Sequence, residues 1–167
     1  MVGFKQPNKR LLSVAIIMIT LGLAGLGFGV YQANSSQAEV GNDNPNFTAL
    51  LPKGKTIEQL GGWEKLTSPN GDAFYVFVDN VHGVSVNVTQ QRMPGKFKGD
   101  LNNKMTELAR AYNANNKIDV DGTKVYIGTS AKGPQSVLFV KDDVLVLMKS
   151  WATISDSDWI AYIRSLQ

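Results

Sequence analysis

The chain has one histidine and no cysteine. Sites built from several imidazoles or from thiolates are therefore excluded, and so are disulfides. His82 follows Asp79, Asn80 and Val81 in a turn-forming stretch. An imidazole there could act as a general base. No second imidazole or thiolate exists to complete a metal set, so it reads as a solvated loop side chain. Gly54-Lys55-Thr56 looks like the end of a phosphate-binding loop. That loop needs a glycine five positions earlier, where Ala49 stands. Ser130-Ala131-Lys132 sets a hydroxyl two residues from an ammonium. This is not the helical Ser-x-x-Lys spacing that brings both groups to one face. A hydrolase would require Ser130, Lys132 and His82 to converge. Asp119-Val120-Asp121-Gly122 resembles part of a calcium loop. Aligned on its glycine, it places Lys117 at the first ligand position, which a cation does not tolerate. Asp142-Asp143 and the pair Asp156 and Asp158 are explained by a turn and by a helix N-terminus. The remaining candidates are aromatic. Trp63, Trp151 and Trp159 could line a groove for an apolar or sugar ligand, with core packing as the alternative. The expectation is a chain without catalytic residues, cofactor or metal.

The elements that would position such side chains begin with charge. The 167 residues carry 17 basic and 14 acidic groups. Lys5, Lys9 and Arg10 hold the whole excess, and every acidic residue lies after position 38. The outer part is thus formally neutral, which argues against a nucleic-acid partner. Residues 11–30 read LLSVAIIMITLGLAGLGFGV, with no charged side chain. Twenty residues at about 1.5 Å each give about 30 Å of helix, the thickness of a bilayer's apolar core. The basic flank lies on the N-terminal side, so residues 1–10 are expected in the cytoplasm and the rest outside. Residues 11–31 are read as a single-pass anchor. A cleaved signal is the second reading, with Ser36-Gln37-Ala38 as a small-x-small site. Gly25 and Gly29 have the GxxxG spacing that lets two membrane helices approach, so a homodimer through them is one possible partnership. Residues 32–46 are polar and turn-forming, a tether about 20 Å long on average.

Residues 47–167 are expected to form one domain. Thr56 and Gln59 have capping-box spacing, and Gly61-Gly62 ends that turn. Residues 63–67 read as a short strand, followed by a turn over 68–72. Residues 73–79 (AFYVFVD) are apolar on both faces, as in a central strand. Val84, Val86 and Val88 alternate with Ser85, Asn87 and Thr89, which predicts one buried and one wet face. Asp100 is placed to cap a helix over 101–112 with Leu101, Met105, Leu108 and Tyr112 in one stripe. Two further hairpins follow, over 117–129 and 136–150, turning at Asp121-Gly122 and Asp142-Asp143. Ser155 caps a last helix, with Asp158 at the capping-box position and Trp159, Ile160, Ile163 and Leu166 as its buried stripe. The predicted fold is α+β: an N-terminal transmembrane helix, then a curved antiparallel sheet of about seven strands, with two main helices packed on one face.

The C-terminal pattern carries a resemblance. The Asp121-Gly122 turn, Val125-Tyr126-Ile127-Gly128, the strands SVLFVK and VLVLMKS, Ile154-Ser155 and the closing helix through Leu166 follow in that order. Residues 122–167 resemble extracytoplasmic domains of unknown function in bacterial single-pass membrane proteins. Some of those are associated with anti-sigma factors, and they are similar to the sheet-and-helix halves of periplasmic lipoprotein carriers. The resemblance implies no catalytic or binding residues. A sigma-binding helical module is not expected in the ten residues before the anchor. Together these readings give a membrane-anchored binding or interaction domain with an envelope protein as partner. The alternative is a carrier or sensor of an amphiphile, held in a cleft beneath the helix over 101–112. The first predicts that Trp63 and Trp151 are mostly buried.

Overall fold

The structure, a computed structural model, describes residues 44–68, 71–130 and 133–167. The expected anchor over 11–31, most of the expected tether over 32–46 and Pro69-Asn70 of the expected 68–72 turn lie outside the described residues.

Seven strands form one antiparallel sheet: β1 (Glu64–Thr67), β2 (Ala73–Val81), β3 (Val84–Arg92), β4 (Asn116–Val120), β5 (Thr123–Ser130), β6 (Gly133–Lys141) and β7 (Val144–Ser150). Their order is β1-β2-β3-β7-β6-β5-β4. The chain builds β1 to β3 as neighbours and then crosses to the far edge through a short 3-10 turn (Gly95–Phe97) and helix α1 (Leu101–Ala111). Hairpins then fold inward until β7 closes against β3. Helix α2 (Asp156–Ser165) follows. The hairpin turns at His82-Gly83, Asp121-Gly122 and Asp142-Asp143 hold both residues at positive φ, between 49° and 86°. Such turns match the right-handed twist of the strands they join.

The register sorts side chains onto two faces. Phe77, Val88, Met148 and Val137 are aligned across four strands on the first face. Trp159, Ile163 and Leu166 cover it together with Leu50 and Leu60 from the segment that precedes β1. Leu147, Leu138 and Tyr126 are aligned on the second face. Phe97 and Met105, Leu108 and Ala109 of α1 cover them. The two helices therefore lie on opposite faces, not on one as expected. The reason is in β6 and β7, whose runs are apolar at every position and need a layer on each side.

Two further expectations are corrected. Asn87 and Thr89 are 4% and 2% exposed, so the second face of β3 is not wet. Period-two polarity reports which side chains share a face, not whether a layer covers that face. Asp100 makes no side-chain cap to α1. Its carboxylate accepts from the Asn103 amide instead. The Ser155 cap forms as expected: its hydroxyl accepts from the Asp158 amide. The Thr56 amide likewise donates to Gln59 Oε1.

Candidate functional site

Two parts of the molecule gather polar side chains among apolar ones. The first is a set of fasteners on the first face. Gln90, wholly buried on β3, accepts from the Leu50 amide at 2.9 Å and donates to the Leu50 carbonyl at 2.7 Å. Gln135 on β6 accepts from the Ile154 amide and from the Trp159 indole. Asp79 on β2 accepts from Lys55 and the Asn80 amide through one oxygen, and from the Tyr162 hydroxyl through the other. Burial and the adjacent Asp79 carboxylate push the Tyr162 phenol well above its ordinary range. A phenol held that way does not supply a base near neutral pH. Each group here is spent on another segment of the chain, and the arrangement ties three segments to the sheet.

The second part is on the other face. Beyond β7, the second face carries Asn87, Thr89 and Gln91 on β3 and then Leu66, Phe74, Val76 and Val78 on β1 and β2. Glu64 shares this face by its register with Val76. One oxygen of its carboxylate is buried without a hydrogen bond, and burial raises its pKa. The Tyr112 hydroxyl and Ser136 hydroxyl, toward the α1 side, are also buried without partners. Burial pushes the Tyr112 phenol above its ordinary range. Its ring lies 5.3 Å from the Lys149 ammonium. This half of the face thus has an apolar edge and a polar stripe. The buried residues of the two described helices belong to other clusters: those of α1 pack with Tyr126, Leu138, Leu145 and Leu147, and those of α2 with the first face.

The tryptophans do not form one groove. Trp159 is fully buried in the first core, which removes it as a groove-lining candidate. Trp63 is half-buried on the same face, edge-on to Tyr75 and Phe77 at 6.1 and 5.4 Å. Trp151 is 50% exposed just past β7, contrary to the burial expected for an interaction module. Buried helix-to-sheet positions recruit large apolar side chains whatever the function. His82 is exposed at the β2–β3 turn, 3.5 Å from the Asp158 carboxylate. Lys132 and the Ser130 side chain lie outside what is described. Among the described residues, no group of three or more histidines and carboxylates could hold a metal ion. No described helix is long and apolar enough to cross a membrane, and residues 11–31 are not among them.

Sequence reasoning passed over Gln90, Gln135 and the half-face. The signal for the half-face was present in AFYVFVD. A strand apolar on both sides requires two covering layers, and its neighbour is then interior as well. Comparison with protein-family models, curated proteins and solved structures finds no match to this chain.

Proposed function

We propose that this chain is a membrane-anchored, non-catalytic binding domain displayed on the outer side of a bacterial membrane, and that the second face of β1 to β3 is its docking surface. The observation that carries the reading is the composition of that half-face. Leu66, Phe74, Val76 and Val78 lie beside Asn87, Thr89 and Gln91; all but Val78 are buried, and neither described helix contributes a residue to their cluster. A strip apolar on one side and lined by amides and a hydroxyl on the other suits an amphipathic segment of an envelope protein. The apolar run at residues 11–31 and the polar tether after it support the placement.

The test is photo-crosslinking in the native membrane. A photoreactive residue at position 78, partly exposed on this face, should yield one discrete protein adduct. The same residue at the exposed position 107 on α1 should not. Equal adduct patterns from the two positions would remove the reading.

A second reading, a carrier or sensor of an amphiphile, uses the same strip. The cleft expected beneath α1 is filled by Met105, Leu108 and Tyr112 against Leu138 and Leu147. The β1–β3 half-face is where an acyl chain and a polar head would find matching surfaces. A lipid-sized mass that stays bound in native mass spectrometry would favour this reading.

A further inference from the structure

The sheet ends in β1 on one side and in β4 on the other. β4 reads Asn116-Lys117-Ile118-Asp119-Val120. It turns into β5 through Asp121 and Gly122, both at positive φ, and Val120 is paired with Thr123. Residues that flank a two-residue turn exchange both backbone hydrogen bonds, and the direction then alternates along the strand. The backbone groups of Val120, Ile118 and Asn116 therefore face β5. Those of Lys117 and Asp119 face out of the sheet's edge. Among the described residues, no strand pairs with that edge, and no main-chain group outside the sheet bonds to either residue.

The side chains divide by face. Ile118 and Val120 join the first core, together with Ile160 of α2. α2 follows β4 on that face, with Asp156 beside Asn116 at one end and Arg164 on Asp121 at the other. Lys117 lies on the second face, 5.0 Å from the centre of the Tyr126 ring. Asp119, two residues on, shares that face. One of its oxygens accepts from the Gly122 amide, which leaves the other for a cation. Lys117 and Asp119 are exposed, and among the described residues neither is in an ion pair. The strand is thereby its own complement. Laid antiparallel on a second copy about a two-fold axis at Ile118, Lys117 meets Asp119 of the other copy and Asp119 meets Lys117. The outward backbone groups then form hydrogen-bonded pairs, and Ile118 meets Ile118 in a non-hydrogen-bonded pair, where side chains are closest. An axis at Lys117 would set lysine opposite lysine, and one at Asp119 would set aspartate opposite aspartate. Like charges directly opposite are destabilising, so one register is selected.

We propose that the β4 edge is a self-association surface, on which two copies pair antiparallel at Ile118 and join their sheets into one. A charged edge strand by itself keeps sheets apart. Here Asp119 two residues after Lys117 turns that barrier into a selector for the same strand. The contact is isologous, so it closes as a dimer and does not extend into a fibre. At five residues it is about 16 Å long, which places it in the weak, reversible class of interfaces. The β1–β3 half-face lies toward the other edge. A pair would therefore present that face twice, but the pairing itself does not depend on what the face binds.

Charge reversal tests both the surface and the register. The full chain in mild detergent is followed by sedimentation equilibrium over a wide range of concentration. Wild type should show a reversible monomer–dimer equilibrium. Lys117→Asp sets aspartate opposite aspartate twice, and Asp119→Lys sets lysine opposite lysine twice. Each variant alone should dimerise about tenfold more weakly or worse. An equimolar mixture of the two restores both opposite-charge pairs and should regain the wild-type constant. Thermal melts of each variant establish that it is folded. The absence of cysteine allows a second readout. Ile118→Cys, treated with diamide, should form a disulfide-linked dimer about tenfold faster than Glu107→Cys on the exposed side of α1, because the pair holds the two thiols within disulfide reach. A wild type that stays monomeric overturns the proposal, as does a mixture that does not recover or equal rates from the two cysteines. A dimer indifferent to both reversals belongs to another surface, such as Gly25 and Gly29, and overturns it too. Failure of the partner cross-link at position 78 in native membranes bears on the docking surface alone.

Discussion

Gln90→Leu should cost this domain about 2–4 kcal/mol. The side chain has no exposed surface and spends its amide on both backbone groups of Leu50, which is itself 2% exposed. Leucine leaves that N–H and that C=O buried and unpaired, at about 1–3 kcal/mol each. Replacing an amide by an apolar side chain in the same space returns roughly 1–2 kcal/mol. The net loss lies between these. Urea unfolding followed by tryptophan fluorescence would show it as a lower midpoint with an unchanged slope, since the surface exposed on unfolding is the same. Gln90→Glu is the companion variant. Its carboxylate still accepts from the Leu50 amide but faces the Leu50 carbonyl without a proton to donate. Its folded pKa is then raised, so its contribution is full below the unfolded value of about 4.3 and is lost as pH rises through the folded value. The Gln90→Glu deficit should therefore shrink as pH falls. A Gln90→Leu loss within about 0.5 kcal/mol, the range of ordinary surface changes, would refute the reasoning. It would mean that water or a shift of the 50–53 segment satisfies Leu50.

Gly128→Ala should cost more than the roughly 1–3 kcal/mol typical of overpacking, read as a drop in melting temperature. The added Cβ would stand 1.9 Å from the Asn113 carbonyl oxygen and 2.5 Å from the Ala114 Cα, and backbone cannot swing aside as a side chain can. Glu64→Gln should gain stability relative to wild type between about pH 4 and pH 7. Burial raises the Glu64 pKa, so the wild-type contribution is full below its unfolded value and is lost as pH rises through the folded one. Unfolding curves at the two pH values check this, and a gap that narrows toward neutral pH would contradict it. Asp79→Ala should destabilise by about 2–4 kcal/mol, because it strands the buried Tyr162 hydroxyl and the Asn80 amide. Lys55→Ala, removing a side chain that is 41% exposed, should cost less than about 1 kcal/mol. Chemical denaturation of the two variants side by side decides whether the carboxylate or the ion pair matters.

Local chemistry made most of the elements legible. Asp121-Gly122 and Asp142-Asp143 marked their turns because Asp, Asn and Gly tolerate positive φ where other residues do not. Ser155 and Asp158 marked a helix start through a hydrogen bond made within one turn. The strip Met105, Leu108 and Tyr112 marked the inner side of α1, although Leu101 at its start is 38% exposed. The layering was not legible. Which face of a strand meets which helix depends on strand order, and β7 pairs with β3 across fifty-odd residues of chain. Asn87 and Thr89, which read as solvent-facing, are buried. Gln90 bonds to a backbone segment 40 residues away. A glutamine bonded to distant main chain leaves no spacing to recognise. The candidate half-face was hidden for the same reason, because its residues come from three strands whose order only the fold reveals. Trp159 illustrates the opposite error. A bulky aromatic suggests a ligand, yet its size is what fills the space between α2 and the sheet.

The segment from Leu50 to Lys53 also determines how the domain would bear load. Its backbone exchanges hydrogen bonds with the last residues: the Leu51 amide with the Gln167 carbonyl, the Gln167 amide with the Leu51 carbonyl, and the Lys53 amide with the Ser165 carbonyl. Gln90 clamps its start to an interior strand, and Arg92 grips Asn46 just before it. A pull applied to the chain just before Asn46 would thus arrive first at the middle of the sheet and at the chain's far end together. The bonds along this ribbon would share the tension before any hairpin felt it. The domain is in that sense built like a cleat: the line is made fast across the body before it reaches the parts that work.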